Sequence, residues 1–451
     1  MKTILIKQGT VIISENNQLQ AIAADVLVKD DKIVKIAEAI HHPPADMEID
    51  AKGMIVMPGF VDTHRHLWET AFKGVAGNWT LMEYLNGMLG GIAPLFEPED
   101  VYIGNLLGAL EAINSGVTSV FDWSHIMNTT EHTKAAIRAL KDSGIRAKFG
   151  YGTPGTSVWE WFYESRLKHP QEAKTIREKY LPSDNELVTM ALAIRGPEYS
   201  TMEVTEHDIL LGRELDLLIS MHIGGGTFGP KYKGVQKLYE ANLLGPDLNF
   251  AHANTISEND FKRLAENQCT ISVTPEVELQ MGLGLPATGK AAKNKMVCGL
   301  GVDVVTATSG NMFDQMKIAL QAERAIQNEK LYRQGEMPEK LTITDSDILK
   351  MATIGGAKTI GLSHKTGSIE VGKQADIILI DTRNISLSPS VNQISTVVLY
   401  AKEDHVNTVM VAGKILKRNG KLLNAGLPEL LKEARKSASK ILTEMANPVL
   451  K

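Results

Sequence analysis

MPGFVDTHRHLWET, residues 57–70, is the stretch on which the reading of this chain turns. An apolar run ends in His64 and His66, and residues two apart on an extended strand point to the same side. Both imidazoles can therefore meet one ion. Outward from this stretch, short apolar runs followed by helical patterns recur, the signature of βα units around a parallel barrel. The expected strands are 56–61, 117–122, 146–151, 188–194, 217–222, 248–252, 270–273 and 297–303, eight in all. Helices are expected between them, for example over 101–116, 260–268 and 312–331, where apolar residues recur at three- and four-residue spacing.

The two ends of the chain differ from this middle. TILIKQGTVIIS, DVLVKDDKIVKIAE and MEIDAKGMIVMPGF alternate like short strands, and so do GSIEVGKQADIILIDTR and VNTVMVAGKILKRNGKLL near the other end. The fold class predicted is α/β: a (β/α)₈ TIM barrel over 58–365, with a small β-sandwich domain built from 1–57 and 366–420. The segment LPELLKEARKSASKILTEMANP makes 421–451 a helical terminus.

Bulk properties narrow the function. The 451 residues suit one large domain with a smaller one, and no run of eighteen apolar residues suggests a membrane span. The start, MKTILIKQGTVIISENN, lacks the pattern of a secretory signal, and only Cys269 and Cys298 occur, which together predict a cytoplasmic protein. A formal net charge of −5 with mixed signs gives no footprint for nucleic acid or membrane. The expected partner is a small molecule, and a homo-oligomer is the usual prior for the assembly.

Residues just past barrel strands converge at one face, so His222 in LDLLISMHIGGG, His252 in LNFAHANTIS and Asp303 in VCGLGVDVVTA can join the first two histidines. A single His at a strand end is usually structural. The paired histidines after PGFVD, with His222, His252 and Asp303 each closing an expected strand in chain order, point to a metal site suited to Zn²⁺, with Fe²⁺, Mn²⁺ or Co²⁺ able to use the same ligands.

With these motifs in place the chain resembles the amidohydrolase superfamily, in particular its cytosine deaminase and triazine chlorohydrolase branch. PGFVDTHRH, the histidines after strands five and six, the aspartate after strand eight and GSIEVGKQADIILID carry the resemblance. It implies that His64, His66, His222 and Asp303 surround one metal ion, and that His252 contacts its water or the substrate. The fourth strand, in VTMALAIRGPEYS, has no lysine to bridge a second ion.

The resemblance also exposes a departure. Deaminase-like members carry a proton-shuttling glutamate three residues after the fifth-strand histidine, where this chain has Gly225. Glu276, and after it Glu278, in VTPEVELQMGLGLP are the expected replacements. Glu278, Glu198, Trp68 and His125 are expected at the substrate, Trp79, Tyr84 and Trp123 as further walls, and Asp303 with His252 in catalysis. The predicted activity is hydrolysis of a C–N bond in a small heterocyclic amine or amide. Its rivals are a cyclic amide or imide hydrolase on the same scaffold and a catalytically silent binding protein. HIGGG lacks the lysine and Ser/Thr of a phosphate-binding loop.

Overall fold

The computed structural model describes residues 2–15, 18–41, 44–424 and 426–446. Met1 and residues 447–451 of the terminal segments read above lie outside these. The chain divides into two compact units, one drawn from 1–62, 111–119 and 311–424, the other from 63–110, 120–310 and 425–451.

The barrel is an eight-stranded sheet whose neighbours follow chain order: Phe60–Arg65, Val117–Ser124, Arg146–Tyr151, Val188–Ala193, Ile219–Ile223, Leu248–His252, Thr270–Val273 and Cys298–Leu300. Almost every residue of these strands is buried, as expected for a parallel sheet covered on both faces. First and last strands meet where the Asp303 N–H donates to the His64 carbonyl at 2.9 Å and the His66 N–H donates to the Asp303 carbonyl at 3.1 Å. The expected helices form as Pro98–Asn114, Glu258–Glu266 and Met312–Tyr332. Ser257 caps the second, accepting from the Asp260 N–H at 3.1 Å, and Asn311 caps the third.

The expected first strand, 56–61, spans a break. Met54–Pro58 belongs to the other sheet, and the barrel strand starts at Phe60. Gly59 makes the turn because a Cβ there would stand 2.1 Å from the Thr118 side chain, so only glycine lets the chain pass. The eighth strand is shorter than expected, and Asp303 follows it in a left-handed conformation, with φ +68°.

Both chain ends share one nine-stranded mixed sheet. Ile377–Asp381 pairs antiparallel with Met54–Pro58, which joins the two ends directly. Thr3–Glu15 pairs with Gln18–Lys29 on one edge and, on the other, first with Met47–Asp50 and then with Met54–Pro58. A bulge between Ile6 and Gly9, with Gln8 at φ +61°, bends this strand so that it serves two neighbours. Ile4, Ile6, Val26, Val28, Val56, Ile377 and Leu379 form its apolar core. The terminal helix runs Leu427–Ala446, and among the described residues no helix is long and apolar enough to cross a membrane.

Candidate metal centre

The first barrel strand delivers His64, and the residue just past it is His66; both are buried. The backbone bonds that close the barrel bring the Asp303 carboxylate between them, its Oδ1 standing 3.4 Å from His64 Nε2 and 3.2 Å from His66 Nε2. His222, from the fifth strand, sets its Nε2 3.2 Å from His64 Nε2. His252 ends the sixth strand with its Nε2 3.8 Å from Asp303 Oδ2. His252 and Asp303 both hold positive φ, +77° and +68°. Such conformations are costly for residues with side chains and persist where the surroundings enforce them, commonly at functional sites.

A hydrogen bond fixes which nitrogen of His66 carries a proton. His66 Nδ1 lies 2.6 Å from the Trp123 carbonyl, which can only accept, so Nδ1 donates and Nε2 presents its lone pair. His252 Nδ1 faces Thr274 Oγ1 at 3.0 Å and Glu278 Oε1 at 3.4 Å. Burial pushes His64 down to about 4 and His222 well below its usual value, so both rings are neutral, the form a metal binds. Burial alone would raise Asp303, yet the neighbouring imidazoles of His64 and His66 hold it well below the carboxylate range.

The separations can be set against a metal directly. Ligand atoms at roughly 2.0–2.2 Å from a tetrahedral ion stand about 3.3 Å apart. The pairs His64–His222, His64–Asp303 and His66–Asp303 lie at 3.2, 3.4 and 3.2 Å. Those pairs fall into two sets that share His64: the ligand atoms of His64, His66 and Asp303 lie within 4.8 Å of one another, and so do those of His64, His222 and His252, imidazole and carboxylate being ligand types of a divalent ion.

His66, His125, His222, His252 and Asp303 line a cavity of about 560 Å³, measured with its open mouth. The other lining residues include Leu81, Leu85, Val277, Met281 and Leu283. His125 stacks on His66 at 4.2 Å between ring centroids. Its Nδ1 accepts from the Trp68 indole N–H at 3.1 Å; because burial keeps the ring neutral, Nε2 carries the proton. Trp68 thus stands behind His125, while Tyr84 lines the cavity itself.

The predicted carboxylates go different ways. Residues 275–280 wind into a short helix, on which Glu276 and Glu278 point apart. Glu278 is fully buried and accepts from the Thr274 N–H at 2.9 Å, beside His252. Glu276 accepts from Ser309 N–H at 3.1 Å and Ser309 Oγ–H at 2.7 Å, and neither glutamate is among the cavity-lining residues. Glu198 accepts from the Gly224 N–H at 2.9 Å, and burial pushes it up to about 8.

Two acids escaped the sequence reading. Burial pushes Glu69 up to about 7; its Oε1 accepts from Tyr84 O–H at 2.5 Å and its Oε2 from Thr306 at 3.3 Å. Asp122, also pushed up to about 7 by burial, accepts from the Leu67 N–H at 3.3 Å and Asn105 Nδ2 at 2.9 Å, holding the segment after His66. Glu69 stands three residues after His66 in HRHLWE and Asp122 ends the second expected strand in FDWSH, and those positions were the available signal.

A family model described as the amidohydrolase family matches residues 55–416. The 5'-deoxyadenosine deaminase of Methanobrevibacter smithii is 30% identical over 448 residues, covering 97% of this chain and 98% of that one. The 5-methylthioadenosine/S-adenosylhomocysteine deaminase of Thermococcus onnurineus is 30% identical, covering 92% and 94%. Among solved structures, an adenosine deaminase from Xanthomonas campestris with bound zinc superposes with a TM-score of 0.85 at 22% identity, covering 98% of both chains.

Proposed function

The chain belongs to the amidohydrolase family and is a hydrolase of carbon–nitrogen bonds other than peptide bonds, and from that premise we propose that it is a zinc-dependent deaminase of a heterocyclic amine. The observation that carries this is that His64 belongs to two sets of closely spaced ligand atoms, with His66 and Asp303 and with His222 and His252, at a largely apolar cavity. The relatives named for deamination of adenosine-type nucleosides make a purine nucleoside the first substrate class to try.

A divalent ion held by His64, His66, His222 and Asp303 supplies Lewis-acid activation of water. The protein's own groups do the rest. Asp303, ionised, takes the proton of the attacking water. His252, its Nδ1 beside Thr274 and Glu278, has its Nε2 next to Asp303 and passes the proton Asp303 has taken on to the departing nitrogen, with Glu278 orienting the ring. This gives Glu278, rather than Glu276, the nearer part in replacing the acid absent at Gly225. His125 offers its Nε2–H to the substrate ring, and the apolar walls exclude water.

The test is zinc-loaded protein incubated with 5'-deoxyadenosine, 5-methylthioadenosine, S-adenosylhomocysteine and other heterocyclic amines, following both ammonia and product mass. Deamination of at least one amine is expected. Failure with all of them, at one equivalent of zinc, overturns the reading. Gly225 keeps one alternative alive: a cyclic amide hydrolase would add water to its substrate without releasing ammonia.

A further inference from the structure

Arg195 is a buried cation that is not itself among the cavity-lining residues but packs against residues that are. Arg195 follows the fourth barrel strand, whose Leu192 and Ala193 pair with Ile219 and Ser220. Continued two residues, that register sets Arg195 beside His222 at the end of the strands that carries the metal ligands. Its side chain is 2% exposed. Nε, Nη1 and Nη2 have no hydrogen-bond partner among the described residues. The guanidinium carbon lies 3.7 Å from the centre of the Phe162 ring, and Phe162 and Tyr199 both line the cavity.

The surroundings offer the cation no anion. Asp208 is close enough to favour its charge, but Oδ1 of Asp208 already accepts from the His169 N–H at 2.9 Å and meets His207 Nδ1 at 2.9 Å. His125 and His169 are both neutral, pushed down first by burial and in smaller part by the charge of Arg195. Burial pushes Arg195 itself down only to about 9, so it is charged at neutral pH. Stacking on Phe162 offsets part of the cost of burying that charge, but a ring face satisfies none of five N–H donors. Donors left unpaired in a folded interior are expensive, and those beside an active-site cavity are commonly completed by the ligand.

We infer that Arg195 is a specificity-determining residue that clamps a carboxylate carried by the substrate, using the paired N–H groups of its guanidinium fork. The inference rests on the reading of this site as that of a heterocyclic-amine hydrolase. A guanidinium fork matches the two oxygens of a carboxylate. One cation in a largely apolar setting suits a single negative charge better than a phosphate dianion. The reacting carbon then sits at the metal ligands, with the acid reaching past Phe162 and Tyr199.

The test uses matched pairs differing in the acid: S-adenosylhomocysteine against 5-methylthioadenosine, and 6-carboxypterin against pterin. Calorimetric Kd values and, where there is turnover, KM and kcat are measured on zinc-loaded wild type, Arg195→Lys and Arg195→Met. Wild type is expected to favour the acid of at least one pair by about thirtyfold or more in Kd, as for a buried charge pair. That preference should collapse toward unity in Arg195→Met and shrink in Arg195→Lys, which keeps charge but loses the fork; the latter serves if the former does not fold. A purely structural stack on Phe162 would leave the acid-to-neutral ratio unmoved. No preference for either acid in wild type, or a preference that survives both substitutions, overturns the inference. So does tighter binding of adenosine 5'-monophosphate than of either acid. Selective binding of an acid without turnover of any amine would instead leave Arg195 in place and remove the deaminase reading.

Discussion

The Nε2 atoms of His64 and His222 stand 3.2 Å apart. Both rings are neutral, so either one N–H points at the other's lone pair or both lone pairs face a shared cation. Asp303 lies 3.4 Å from the same His64 atom, which favours the cation. We expect the protein to hold one divalent ion, and His222→Ala and His66→Ala each to weaken it by about a hundredfold or more, since even outer-shell changes cost 10–100-fold. Chelator competition followed by elemental analysis reads this out. Unchanged affinity in either variant would remove that residue from the centre.

The contact of Glu278 with His252 separates two acids that stand only two positions apart in the chain. Glu278→Gln keeps the shape but removes the carboxyl group from behind His252, so kcat should fall by about 10²-fold or more with the metal still bound. Glu276→Gln, which disturbs bonds to Ser309, should act mainly on stability and change kcat by less than about tenfold. Steady-state kinetics on both variants decides; the reverse order would return the proton role to Glu276.

How much of this was readable in advance follows from what each feature depends on. His64, His66, His222, His252 and Asp303 each end an apolar run, and in a barrel the run's end fixes the face, so local sequence placed all five. The directions of Glu276 and Glu278 depend on residues 275–280 winding into a helical turn, which so short and mixed a segment does not announce. Glu69 resembles a solvated acid in HLWET; only the fold buries it against Tyr84. Arg195 looks like an ordinary surface cation until its surroundings are known to lack acceptors. The first strand was misplaced because Met54–Pro58 and Phe60–Arg65 form one apolar stretch, and their division at Gly59 is set by the distant Thr118.

Glu198 makes stability depend on pH in a predictable sense. Burial pushes its carboxyl from 4.5 up to about 8, against the bond from Gly224 N–H that favours the anion. The folded chain therefore holds this proton more tightly than the unfolded chain. Its contribution is fully present below about pH 4.5 and is lost as pH rises through about 8. Between those values stability should decline by up to about 1.4 kcal/mol per pH unit on this account. Glu198→Gln removes the titration, so the melting curve of the metal-free variant should gain on wild type as pH rises from about 5 to 8. Parallel pH profiles for the two proteins would show that Glu198 is ionised in the folded state.

Gly225 stands where the family resemblance implies a glutamate, and backbone geometry does not require glycine there. Its neighbours do need the freedom, Gly224 at φ +68° and Gly226 at φ +55°. Gly225 has no such φ, and an added Cβ would meet Leu283 Cγ at 3.7 Å and Leu81 Cδ2 at 4.0 Å, ordinary contacts. Gly225→Ala should therefore melt within about 2 °C of wild type, which for a chain this long is a change of under about 1 kcal/mol. Because Gly225 lines the cavity, a glutamate there can place its carboxyl near the departing nitrogen. If proton delivery now runs through Glu278 and His252, the Glu278→Gln protein lacks that route while its metal ligands are intact. Adding Gly225→Glu to Glu278→Gln should then restore ammonia release by about tenfold or more, a fraction of the 10²- to 10⁴-fold a well-placed acid supplies. A folded, metal-bound double variant without rescue would mean that position 225 does not face the leaving group, and that the loss of its glutamate reflects a different reaction.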